Sequence, residues 1–223
     1  MSGKLIVIDG ADGSGKATQS KLLVERLQSE GQQVRTLDFP QYANNHFGGL
    51  LRECLDGKRG DFLELDARIA STLYAADRFE SANIICQWLE EGAVVVLDRY
   101  VSSNMLHQGG KIHDEKELHD FLKWLDTMEH GVFKIPRPDL IIYLEVPYSF
   151  RQNMLFTDNT RTHLDVVENH EAHQLAAETN AKRLTATLNN WQTIVCSSND
   201  ALLSKEAIHQ LVYKAAQQTV LEK

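Results

Sequence analysis

The chain has little cysteine, little proline, a deficit of positive charge and no long apolar run. Its three cysteines, Cys54, Cys86 and Cys196, are odd in number and widely spaced. That gives no basis for a disulfide framework or a cysteine zinc cluster, and leaves packing as their role. Lys and Arg total 23 against 31 Asp and Glu, for a formal net charge of −8. Nucleic-acid binders usually carry a basic surplus, so a polynucleotide partner is disfavoured. A small anionic ligand stays open, because a few arginines suffice when one cleft focuses them. No stretch approaches the roughly 18 consecutive apolar residues of a membrane-crossing helix. The opening MSGKLIVIDG holds an apolar run too short for a signal-peptide core, with no cleavage site after it. A cytoplasmic protein without a membrane partner is expected.

What the chain does have is alternation. With 223 residues, 43% apolar and 24% charged, it suits a single domain over 1–223 that buries a sizeable core. LIVID (5–9), QVRTLDF (33–39), AVVVLD (93–98), LIIYLEV (140–146) and QTIVCS (192–197) read as strands. AVVVLD and LIIYLEV are continuous aliphatic runs, as strands covered on both faces are. Helical patterns lie at 15–31 and near 46–57, 65–91, 114–130, 149–155, 166–190 and 201–219. The four prolines punctuate these elements: Pro40 and Pro147 close strands, and Pro136 and Pro138 bracket a turn. Strands alternating with helices predict an α/β fold, a parallel sheet of about five strands wrapped by helices. The turn-rich LFTDNTRTHLD (155–165) reads either as a lid or as a surface loop.

Residues 7–19, VIDGADGSGKATQ, carry the first chemistry. Gly10, Gly15 and Lys16 fit G-x-x-x-x-G-K between a strand and a helix, the setting of a phosphate-binding loop. Its glycines let backbone N–H groups from Gly10 through Ala11, Asp12, Gly13, Ser14, Gly15, Lys16, Ala17 and Thr18 converge on phosphate oxygens. The helix N-terminus adds partial positive charge, and Lys16 would reach the outer phosphates. Ala17 replaces the Ser or Thr that usually helps hold Mg²⁺. The loss need not abolish binding, because water and phosphate also ligate the metal and Asp12 could hold it through water. A glycine-rich turn without a ligand is the alternative.

In VVVLDRYVSSNMLHQGGK (94–111), Asp98 and Arg99 fall at the end of an apolar strand. Carboxyl ends of strands border the ligand crevice in such sheets. There an acid suits magnesium and an arginine suits a phosphate; a strand-end salt bridge would use the same pair. Upstream, Tyr74 and Arg78 are four apart and share a helix face. They could stack a base and hold a phosphate, or simply pack with a snorkelling charge.

DGADGSGKATQ, FPQY, LYAADR and DRYVSSNMLHQ, in this order and at these intervals, resemble the thymidylate kinase family. The resemblance runs from the first strand to the helix near 166–190 and implies a P-loop kinase with a lid at about 151–168. It implies transfer of the γ-phosphoryl of ATP, with Mg²⁺, to dTMP, giving dTDP and ADP. By this likeness Lys16 serves the transferring group, and Asp12 lies near the sugar 3′-hydroxyl and the metal, with Asp98 the other metal-side acid. Phe39 and Pro40 match the FP of a family motif. Tyr74 matches the residue stacking on thymine, Arg78 one bridging both phosphates, and Arg99 one on the acceptor phosphate. Ser103, Asn104, His107 and Gln108 fall where the thymine and sugar pocket is lined. A homodimer is implied as well.

Departures from the family pattern are Ala17, Gln41 where an arginine is often found, and His107 where a tyrosine often crowds a ribose 2′-hydroxyl. Arg161 is preferred as the lid arginine over Arg151, and Glu168 is a further candidate near metal or sugar. His170 and His173, in HEAHQ, read as a solvated helix face. Two other outcomes stay open: a kinase for another deoxynucleotide or deoxynucleoside, and a degenerate nucleotide-binding module without turnover.

Overall fold

The computed structural model describes residues 3–151, 170–198 and 201–221. Five parallel strands, β1 (Lys4–Gly10), β2 (Val34–Asp38), β3 (Val94–Asp98), β4 (Leu140–Glu145) and β5 (Trp191–Val195), lie in the order β2-β3-β1-β4-β5. The register pairs Leu5 with Val95 and Ile6 with Leu140, so β1 is central. Period-two alternation sorts its residues to two cores. Leu5 and Val7 face α3 (Ala67–Glu90), α4 (Val101–His107), α5 (Glu115–Asp126) and α6 (Glu171–Thr187). Ile6 and Ile8 face α1 (Lys16–Ser29) and α7 (Lys205–Leu221). Both faces are dry, which is why the strands read as continuous apolar runs. The expected three-layer αβα architecture is what forms.

α2 (His46–Leu55) packs on the start of α3 through a smaller core of Leu51, Cys54, Leu55, Phe62 and Ala70. Cys196 lies in the α1–α7 core, so two of the three cysteines are packing residues.

Some elements differ from expectation. The pattern near 114–130 divides into α5 and one π-helical turn, Thr127–Val132. A two-residue antiparallel pair, β6 (Ser197–Ser198) with β7 (Ala201–Leu202), precedes α7. Helix α4 carries no apolar stripe long enough to reveal it. The expected lid, with Arg161 and Glu168, lies outside the described residues except for Arg151.

Parallel strands end at one edge of the sheet. Gly10, Asp38, Asp98 and Glu145 stand there, beside the start of α1 and α4, and that edge positions the site.

Candidate active site

β1 ends at Gly10, where φ is 154° and an added Cβ would lie 2.6 Å from Ser14 Oγ and 2.9 Å from the Leu144 carbonyl. Only glycine fits. Gly15 then caps α1 at φ 84° with no side-chain hydrogen bond to the helix end. The first N–H groups of α1 are therefore left for an anion. Ser14 Oγ, packed against Gly10, is buried without a partner among the described residues. Ala17 and Thr18, the next residues of the helix, are exposed.

Four charged groups meet beside the loop. Lys16 Nζ donates to the Ala11 carbonyl at 2.9 Å and lies 3.9 Å from Asp12 Oδ1. Burial, reinforced by Arg99, pulls its pKa down to about 8 against the opposing pull of Asp12, Asp98 and Asp9. Arg99 pairs with Asp12 Oδ1. Burial works against both charges, yet mutual attraction outweighs it, holding Asp12 below and Arg99 above the usual range. Arg99 sits at φ 64°, a left-handed conformation that a non-glycine residue adopts at a cost. Strain at the tip of β3 turns its guanidinium toward the loop.

Asp98 differs from Asp12 in having a spare oxygen. Its Oδ1 is buried with no hydrogen-bond partner among the described residues, and burial raises its pKa. Asp12 is already engaged by Arg99, by Gln174 Nε2 at 2.7 Å and more distantly by Lys16. Of the two acids expected to serve a metal, Asp98 has the orphaned atom that a hydrated Mg²⁺ would satisfy.

α4 carries the other half of the site. Ser102 and Ser103 donate to Asp9 Oδ2 at 2.5 and 2.8 Å, tying the helix start to β1. Asn104 Nδ2 donates to the Ser71 carbonyl at 3.1 Å and to Glu129 Oε1 at 3.0 Å. His107 Nδ1 lies 3.3 Å from His173 Nε2, with the rings stacked. Its other nitrogen, Nε2, and Gln108 Oε1 are buried without partners among the described residues. Burial pushes His107 down to about 3 and His173 to about 4, so both are neutral. Tyr74 projects from α3 with its ring edge-on to Phe62, centroids 5.8 Å apart.

This combination of loop, strand-tip arginine and polar helix has relatives. The sequence profile of the family described as thymidylate kinase matches residues 8–212. The chain belongs to the thymidylate kinase family. The thymidylate kinase of Mycobacterium tuberculosis is 33% identical over 142 residues, 64% of this chain and 65% of that one. The match thus spans less than two thirds of that relative's length. Human thymidylate kinase is 28% identical over 208 residues, 93% of this chain and 87% of that one. A solved thymidylate kinase from Candida albicans shares the fold, with a TM-score of 0.75 at 21% identity over 97% of this chain and 92% of that one.

Several family-derived expectations need correction. Arg78 does not join Lys16 and Arg99. Its guanidinium, 2% exposed, is gripped by Glu129 through Nε at 2.8 Å and Nη2 at 2.5 Å, because a buried cation needs a carboxylate at hand. Phe39 packs in the core against Tyr100, centroids 5.9 Å apart, rather than facing the crevice. Arg151, passed over for Arg161 as the lid arginine, is sealed in, donating to the carbonyls of Val146 and Asp12 and to Gln174 and Glu178. It fastens α6 to the phosphate loop. His173 is buried, whereas only His170 of that pair is exposed. The reason is spacing: His173 continues the buried face of Ala177, Ala181 and Leu184.

Gln41 replaces a charge with a brace. Its backbone N–H donates to Asp77 Oδ2 at 3.1 Å, and its amide donates to Asp38 at 2.6 and 2.8 Å. Arg52, a cation on α2 that could have replaced the missing charge, pairs with Asp56 at 3.0 Å.

Asp9, Gln174 and Glu129 were missed. For Glu129 a signal exists: Leu118, Phe121 and Leu125 form the buried face of α5, and 129 is the next position on it.

Proposed function

We propose that the protein is a dTMP kinase, transferring the γ-phosphoryl of ATP to dTMP to give dTDP and ADP. The observation that carries this is the meeting of Lys16, Arg99 and an open helix N-terminus at one sheet edge, next to a polar helix with unpartnered groups. Phosphoryl transfer asks the protein to align two mutually repelling anions and spread the developing charge. The N–H groups of residues 10–18 would cradle the donor phosphates, with Lys16 on the transferring group. Arg99 would exchange Asp12 for the acceptor phosphate. The attacking oxygen is a phosphate oxyanion, so no general base is required. Mg²⁺, when bound, neutralises donor charge. Asp98 would hold its water shell, with Asp12 a second candidate once Arg99 has turned away. Tyr74 would stack the base, Asn104 and Gln108 would meet its polar edge, and His107 and Ser103 would line the sugar. Arg161 is the lid cation of choice.

Keeping a phosphate-binding arginine at the acceptor end favours a monophosphate over a nucleoside, which would instead need a carboxylate base at its 5′-hydroxyl. The coupled assay is direct: MgATP with dTMP, dUMP, dCMP or thymidine. Turnover on dTMP is expected. Turnover on thymidine alone, or nucleotide binding without turnover, would overturn the proposal.

The protein is also proposed to act as a homodimer in the cytoplasm. Supporting this, Ile69, Phe79 and Ile84 on α3 and nearby Val132 are exposed apolar side chains. No helix among the described residues is long and apolar enough to cross a membrane. Sedimentation velocity of the wild type and of Phe79→Glu checks the dimer.

A further inference from the structure

Glu129 has no place in the proposed phosphate chemistry, yet it is a fully enclosed acid near the acceptor side, 0% exposed. It lies in the π-helical turn Thr127–Val132, and single turns of this kind recur at functional sites. One of its oxygens, Oε1, accepts from both Arg78 Nη2 at 2.5 Å and Asn104 Nδ2 at 3.0 Å. The Arg78 and Asn104 heads are therefore neighbours, brought from α3 and α4 to one atom.

That arrangement sets which atom of Asn104 stays uncommitted. An amide nitrogen carries two hydrogens and the amide oxygen only lone pairs. Asn104 Nδ2 meets two acceptors, Glu129 Oε1 and the Ser71 carbonyl at 3.1 Å. Turning the amide over would put oxygen against both. Asn104 Oδ1 thus remains, as an acceptor with no protein partner among the described residues. Arg78 commits Nε and Nη2 to Glu129, and its remaining nitrogen, Nη1, can only donate.

Resting on the acceptor site proposed above, we infer that Glu129 is a positioning residue that sets the polarity of the base-reading edge. One acceptor beside one donor complements an imide edge, a ring N–H next to a carbonyl, as in thymine and uracil. Cytosine presents a ring acceptor next to an amine donor, so both contacts become repulsive. A mismatched buried polar pair is rejected strongly because neither group finds another partner.

The test is steady-state kcat and KM for dTMP and dCMP at saturating MgATP, on the full chain and on Glu129→Gln. A glutamine has one acceptor oxygen where the carboxylate uses two, so its amide hydrogens press against either Asn104 Nδ2 or Arg78 Nε and disturb the pair. The expected result is a raised KM for dTMP, a smaller change in kcat, and a dTMP-over-dCMP preference in kcat/KM reduced by roughly 10- to 100-fold. Glu129→Asp keeps the charge balance with Arg78 and so the fold. It draws the carboxylate back from Asn104, and its preference should fall in the same direction by less. Circular dichroism and ATP binding identify which variants are folded. An unchanged preference ratio in a folded variant overturns the inference alone. A wild-type enzyme that does not turn over dTMP overturns the acceptor site itself and the inference with it.

Discussion

Lys16 at the strand tips and Arg78 midway along α3 are both buried cations, 7% and 2% exposed, but they are held differently. Lys16 has one carbonyl at 2.9 Å, and its nearest carboxylate is 3.9 Å away. Its charge is costly there, as its lowered pKa of about 8 records. Around it Ser14 and Asp98 have oxygens without a partner among the described residues. Arg78 has its charge paired before any ligand arrives, gripped through Nε and Nη2 by a carboxylate that also holds Asn104. The proposed phosphate end thus keeps groups that an anionic nucleotide and its metal would satisfy. The base end is internally neutral and presents shape and hydrogen-bond polarity. On the proposed function, charge would attract and align at one end, and fixed dipoles would discriminate at the other.

The contrast can be broken most sharply at the phosphate end. Arg99→Ala should lower kcat by about 10³–10⁵, the range for an arginine that stabilises phosphoryl transfer. ATP binding and base preference should persist, and near-normal turnover would remove Arg99 from the chemistry. At the base end the largest effect should be on stability. Arg78→Ala strands Glu129 as an unpaired buried charge and should cost about 3–5 kcal/mol in urea unfolding. The exposed Arg137–Asp126 pair is the control, since losing it should cost under about 1 kcal/mol. Equal losses at the two pairs would contradict the burial account. Tyr74→Ala should weaken dTMP by about 1–3 kcal/mol, the range for a base stacked on an aromatic ring, and leave ATP affinity unchanged. An unchanged KM for dTMP would count against stacking.

The smallest effect concerns the stacked histidines. His107 and His173 are depressed to about 3 and about 4 from 6.5, so the unfolded chain takes up protons that the folded one refuses. Their contribution is fully present above pH 6.5 and is lost as pH falls below it, at up to about 1.4 kcal/mol per pH unit for each histidine. The slope of unfolding free energy between pH 6.5 and 5 should flatten in His107→Gln. An identical slope would mean that the pair does not drive it.

How much was legible follows from what each residue does. The strands were readable because both faces of β1, β3 and β4 are dry, leaving aliphatic runs. The loop was readable because backbone geometry demands glycine at 10 and 15. α4 was not, since its inward residues, Ser102, Asn104 and His107, answer to polar partners on other elements and leave no apolar period. Arg78 and Tyr74 share a helix face as expected, but the carboxylate that claims Arg78 lies 51 residues away in sequence. His173 and Gln174 looked solvated among acidic neighbours, yet they sit on the buried face set by Ala177 and Ala181. Long-range pairing of polar groups leaves little periodic trace, and that is where sequence reading stopped.

The central claim is a cleft that seats two nucleotides with their phosphates meeting at Lys16 and Arg99. Calorimetric titration with adenosine and thymidine joined 5′ to 5′ through a polyphosphate chain tests it most directly. Occupying both halves at once should bind at least about 100-fold tighter than ATP or dTMP alone. An affinity no better than that of the stronger half would contradict it.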